Sequence, residues 1–138
     1  MITKLTPNLM AADIRETVLF YQETLGFSLS MAVPKDSRDI LTELPAEGEL
    51  VYALMRCGDV EIMFQEQANL AGEIPQLGGR PLGASATLYM ETGDLDKVLA
   101  NLPKTTTIIR QPETTWYGAR ELYIQDNNGY ILAIAQMP

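Results

Sequence analysis

The chain has 138 residues, 46% apolar and 20% charged, with a formal net charge of −8 and a single cysteine. That composition describes one globular domain, or two half-domains sharing a core, and excludes a disordered chain. No apolar run approaches the ~20 residues that span a bilayer; the acidic balance disfavours nucleic acid and anionic membranes as partners, and one thiol excludes an intrachain disulfide. The first residues carry no basic region followed by an apolar stretch, so no secretory signal is expected and a reduced, cytoplasmic setting fits. Cys57 closes a strand-like run and is expected to be a small buried hydrophobe.

Taken in chain order, residues 3–10 read as a strand. Asp13 then caps a helix, with Glu16 three residues on completing a capping box. Ile14, Thr17, Val18, Tyr21 and Leu25 recur at helical spacing as its buried stripe, and Gly26 stops it. Residues 27–33 form a strand, and 34–49, with Pro34, Pro45 and Gly48, read mainly as loop. Residues 50–57 and 60–65 are strands joined at Gly58-Asp59 as a hairpin. Residues 67–83 hold four glycines and two prolines and read as a linker, long enough for pairing within a chain or a swap between chains.

The order then repeats. Residues 84–92 form a strand, 94–101 a short helix ending before Pro103, and 105–111 a strand. Residues 120–125 and 130–136 pair across Asp126-Asn127-Asn128-Gly129. That tetrad has calcium-like oxygens but lacks the spacing and the terminal glutamate of a calcium loop, so it reads as a hairpin turn. Shifting residues 6–18 by 81 sets Thr6 on Thr87, Asp13 on Asp94, Ile14 on Leu95 and Val18 on Leu99. The fold class is therefore α+β: two tandem βαβββ modules, 1–66 and 84–138, in one structural domain, forming a curved mixed sheet that encloses a cleft.

Strand alternation sorts the faces. Val60, Ile62 and Phe64 should pack under a helix, leaving Glu61, Met63 and Gln65 toward the cleft. Leu50, Tyr52, Leu54 and Arg56 share one face, as do Thr87, Tyr89 and Glu91. In the last strand Leu132 and Ile134 pack under a helix, with Ile131, Ala133 and Ala135 facing the cleft. Trp116 and Tyr117, beside Gly118 and just before Glu121, offer a stacking wall for a planar or cationic ligand, or else a loop anchor on the core or a dimer interface. The candidate ligand-binding residues are thus Tyr52, Leu54, Glu61, Met63, Gln65, Tyr89, Glu91, Trp116, Tyr117 and Glu121. A face of this kind forms a small-molecule site, fills itself with side chains, or closes on another subunit.

The run from Asp13-Ile14 to Phe20-Tyr21-Gln22-Glu23-Thr24-Leu25-Gly26-Phe27, with the closing run Trp116 to Tyr130, resembles the vicinal oxygen chelate superfamily, which includes glyoxalase I, extradiol dioxygenases, fosfomycin-resistance transferases and bleomycin-resistance proteins. The resemblance implies that metal-dependent members would place ligands at Thr6, Thr87, Ala133 and on or near Glu61. The chain has no histidine at all, and threonine and alanine are unsuited, so no metal, no other cofactor and no catalytic residue is expected. What remains resembles the bleomycin-resistance branch: homodimers that bind an aromatic, cationic ligand without reacting with it. Two other readings stay open. One is an enzyme of the superfamily using Glu61 or Glu91, with raised pKa in an apolar cleft, as general base; the other is a metal enzyme with unorthodox ligands completed across a dimer.

Overall fold

A computed structural model describes residues 1–138 and resolves the chain into two compact units, Met1–Arg80 and Pro81–Pro138. The first runs β1 (Asn8–Ala11), α1 (Ile14–Leu25), β2 (Ser28–Pro34), β3 (Leu50–Cys57), β4 (Val60–Glu66), α2 (Gln67–Glu73) and a 3-10 turn at Pro75–Leu77. The second runs β5 (Thr87–Glu91), α3 (Leu95–Asn101), β6 (Ile108–Thr114), β7 (Arg120–Gln125) and β8 (Ile131–Gln136). Each builds one four-stranded mixed sheet, ordered β1-β4-β3-β2 and β5-β8-β7-β6. In both, the first strand pairs parallel with the last and the other pairs are antiparallel.

Helix α1 forms where its sequence signals place it. The Asp13 carboxylate accepts the Glu16 amide at 3.0 Å, satisfying one of the donors a helix start leaves orphaned. Gly26 closes the other end at φ 77°; its amide bonds the Gln22 carbonyl, and the Phe27 amide bonds that of Tyr21. A side chain at that left-handed position would be strained, which is why glycine stands there. The buried face is broader than the five-residue stripe, adding Phe20 and Thr24 while Leu25 is half-buried. Tyr21 is the centre of that face. Its ring lies 4.8 Å from Phe64, 5.7 Å from Phe27 and 5.5 Å from Phe20, and Ala32, Ala53, Met55 and Ile62 complete the core beneath it. Helix α3 repeats the logic in shorter form. Asp94 accepts the Lys97 amide at 3.0 Å, Gln136 accepts the Leu95 amide at 2.7 Å, and Leu95 and Val98 are buried.

Several expectations are corrected. The first strand begins at Asn8, although the Pro7 carbonyl already accepts the Met63 amide, and β6 runs on to Thr114. Val60 is 53% exposed rather than packed under a helix, because it opens β4 next to the Gly58-Asp59 turn. Cys57, at the other side of that turn, is exposed as well. Residues 67–77 are ordered helix, not plain linker, and Leu70 is buried. No helix is long and apolar enough to cross a membrane.

Candidate functional site

Each sheet has one face against its helix and one face open, and the strand registers decide which residues share the open face. In the second unit, Tyr89 stands beside Ala133 and Ala133 beside Tyr123; Glu91, Ala135 and Glu121 form the next row. Ala133 and Ala135 are fully buried, so the middle strand contributes a small-residue floor between larger side chains. Across the sheet, Arg110 pairs with Tyr123 and Glu113 with Glu121, with an irregularity between them.

The side chains on this floor form one cluster around Glu121. The Tyr89 hydroxyl donates to Glu121 Oε2 at 2.5 Å, and the Tyr117 hydroxyl donates to the same oxygen. Glu121 is only 3% exposed, yet it keeps its charge: the Tyr117 and Tyr89 hydrogen bonds, with smaller help from Tyr123 and the charge of Arg110, hold its carboxyl below the usual glutamate range. The same bond to Glu121 pushes the Tyr89 phenol well up, so it stays a neutral donor. Tyr117 is delivered by a tight turn in which the Thr115 hydroxyl accepts the Ala119 amide at 3.1 Å and the Thr115 carbonyl accepts the Gly118 amide at 3.0 Å. That turn, with Gly118 at φ 90°, leaves Trp116 at its tip, 95% exposed and edge-on to Tyr117 at 5.1 Å.

Of the ten candidate residues, the structure therefore brings Tyr89, Tyr117 and Glu121 into direct contact, with Trp116 edge-on to Tyr117 and Glu91 on the same face. Two participants lie outside the ten. Tyr123 counts among the aromatic residues of the sequence suited to a cationic ligand, and stands two residues after Glu121 on one strand and hence on the same face. Arg110 was not legible, because the irregularity in β6 shifts its register.

In the first unit Asn8, Met63, Gln65, Leu54 and Tyr52 share the open face by register, but its carboxylate and amide groups, those of Glu61, Gln65 and Asn8, are already bonded within the chain. Glu61 is bound by Lys4 at 2.6 Å through one oxygen and by Arg56 through the other. Those partners hold the Glu61 carboxyl below its ordinary range, which overturns the expectation of a raised-pKa base there. Tyr52 is pushed up, chiefly by burial and also by the Glu61 charge. Gln65 is saturated: its oxygen accepts from Asn8 at 3.0 Å, and its amide donates to Asn69 at 2.7 Å and Glu73 at 2.9 Å. Gln65 thus ties α2 to the sheet.

A cavity of about 450 Å³ opens at the start of α1, between Lys35, Glu49 and Glu66. None of the ten candidates lines it, and its charges pair among themselves: Lys35 reaches Glu49 at 3.1 Å and Glu66 at 3.7 Å. Arg15 is spent on the carbonyls of Pro45 and Gly48.

The metal positions implied by resemblance do not fit a divalent ion. Asn8 pairs with Met63 as Tyr89 pairs with Ala133, so the counterpart of Ala133 in the first module is Met63, not Glu61. The four positions then hold two threonines, an alanine and a methionine, a set without a carboxylate, imidazole or thiolate. No group of three or more His, Cys, Asp or Glu side chains is arranged to hold a metal.

Residues 5–134 match the model of the Glyoxalase/Bleomycin resistance protein/Dioxygenase superfamily. The chain belongs to that superfamily. Solved structures agree on the fold. A protein of unknown function from Agrobacterium tumefaciens superposes with a TM-score of 0.74 at 18% identity, covering 100% of this chain and 96% of that one. TioX from Micromonospora sp. ML1 gives 0.64 at 16% identity, over 99% of each chain. A glyoxalase/bleomycin resistance protein/dioxygenase family enzyme from Burkholderia phytofirmans gives 0.66 at 18% identity, over 95% of each. No curated protein matches the chain. Superfamily membership carries the fold and leaves the chemistry to the residues of the site.

Proposed function

We propose that this superfamily member is a metal-free binding protein that captures a planar, cationic small molecule on the open face of its second unit, in the manner of the bleomycin-resistance branch. The observation that carries the reading is the joint hold of Tyr89 and Tyr117 on one buried Glu121 carboxylate, beside the exposed Trp116. An ionised carboxylate with two tyrosines donating to it makes the phenol oxygens electron-rich, and aromatic faces attract cations through their quadrupole. Glu121 is held in the ionised state, so it supplies a fixed charge rather than a proton acceptor near neutral pH. Capture needs no more than this.

Trp116 is the only tryptophan, so its fluorescence reports directly on the site. Titration with N-methylquinolinium should quench it saturably, with quinoline at mildly alkaline pH, a neutral ring of similar shape, binding roughly 2- to 30-fold more weakly, the range of about 0.5–2 kcal/mol for a cation–π contact. Absence of saturable quenching by either compound refutes the reading; equal affinity for both removes its cationic part. The dimer implied by the family resemblance is tested by light scattering, which should return twice the 15.3 kDa chain mass.

A further inference from the structure

We infer that Arg110 is a resident cation of this site: its guanidinium lies over the Tyr123 ring, 4.4 Å from the centroid, in the seat an incoming cationic ligand takes by displacing it. The inference rests on the binding reading above and adds to it a competitor built into the chain. Cross-strand pairing sets Arg110 opposite Tyr123, and Tyr123 shares its face of β7 with Glu121, two residues before it. Arg110 thus has the two features a planar cation would seek, an aromatic face and a nearby carboxylate.

Its hold is weak, and the first unit shows the contrast. There Arg56 is locked on Glu61 through both Nε and Nη2, with Lys4 on the other carboxylate oxygen. Arg110 forms no such ion pair; it acts on Glu121 through space and rests on a ring. It is exposed on an edge strand, where a cation–π contact is at its weakest. A ligand that brings its own charge and a larger π-surface replaces Arg110 at small cost, while a neutral ligand removes a cation from the carboxylate's field and puts none back. Arg110 therefore weakens all binding slightly and neutral ligands most.

The test is Trp116 titration with N-methylquinolinium in wild type, Arg110→Met and Arg110→Lys, together with the Arg110 Nε–Hε resonance in wild type. Displacement predicts about 2- to 5-fold tighter binding to R110M, about 0.5–1 kcal/mol, with R110K close to wild type because the charge remains. In wild type the Nε–Hε signal should be shifted by the Tyr123 ring current and move to an exposed-arginine position as the ligand saturates. Binding with that resonance unmoved, or R110M affinity equal to or weaker than wild type, overturns the inference while leaving the binding reading intact. Silence of the wild type ends the binding reading and the inference with it, whatever R110M does. The wild-type resonance decides the matter even if R110M fails to fold.

Discussion

Phe64 and Val60 lie on one strand, four residues apart, and alternation assigns both to the helix-facing side, but they occupy different environments. Phe64 is fully buried, its ring tilted 55° against Tyr21 at 4.8 Å, whereas Val60 is 53% exposed. Replacing Phe64 by alanine removes a ring from a core that can relax only in part, because Tyr21 is also packed against Phe20 and Phe27. The expected loss is about 3–5 kcal/mol for the lost transfer energy and the cavity. Phe64→Leu keeps most of the volume and forfeits mainly the aromatic pair, so it should lose no more than about 1.5 kcal/mol. Val60→Ala leaves no cavity and should fall within about 0.5 kcal/mol of wild type. Against a total stability on the order of 5–15 kcal/mol, F64A is then marginal. Urea unfolding followed by far-UV circular dichroism measures all three, and Trp116 fluorescence reports the second unit separately. A cost for V60A comparable to that of F64A, or for F64A under about 1.5 kcal/mol, would refute the placement of α1 over this part of the sheet.

The caps give a second test: D13A should destabilise by about 0.5–2 kcal/mol, with D13S close to neutral, in the same urea assay. The folded-state pKa of Glu121 is depressed, so its contribution is fully present above the unfolded glutamate value of about 4.3 and is lost as pH falls through the lower folded value. Melting temperature should therefore drop more steeply below pH ~4 in wild type than in E121Q, and parallel curves would show that the tyrosine bonds are not made to a charged Glu121. Added Zn²⁺, Mn²⁺ or Ni²⁺ should leave the melting temperature unchanged; a saturable rise would reopen the metal reading. Native protein should react with a thiol reagent at one equivalent through Cys57, because the thiol is exposed.

What was legible in the sequence is what depends on near neighbours. Asp13 as the helix cap, Gly26 at the helix end, the turn at Gly58-Asp59 and the alternation of Ile62 and Phe64 against Glu61, Met63 and Gln65 all act within a few residues, and all are found in the structure, whereas of the expected capping box only the Asp13 half is made. The Asp126 turn belongs with them: its carboxylate takes the amides of Asn128 at 2.8 Å and Tyr130 at 2.9 Å, so its oxygens serve the hairpin. The misreadings come from partners far along the chain. Glycine and proline between 67 and 83 suggest a linker, but Gln65 reaches forward to Asn69 and Glu73 and back to Asn8, 57 residues away. Glu61 looked like a carboxylate in an apolar cleft; Lys4, another 57 residues distant, closes one oxygen and makes it an ion-pair member. Cys57 and Val60 followed the pattern of a buried strand, but the pattern does not say where the covering helix stops.

The same distinction separates the two open faces. Their sequences both show a glutamate, aromatics and an arginine in alternating strands, but the two glutamates are bound by different groups. In the first unit Glu61 takes Arg56 from the adjacent strand, directly opposite in register, and an arginine bound through two nitrogens has no stacking role left. In the second unit the residue opposite Glu121 is Glu113, a like charge, so Glu121 draws its donors from Tyr89 on β5 and Tyr117 in the turn instead. The arginine falls one row away, on Tyr123. Glu61 on β4 and Glu121 on β7 are not module counterparts, since Tyr52 pairs with Gln65 as Glu121 pairs with Ala135; the two carboxylates therefore draw on different neighbours, an arginine and a lysine in the first unit and two tyrosines in the second.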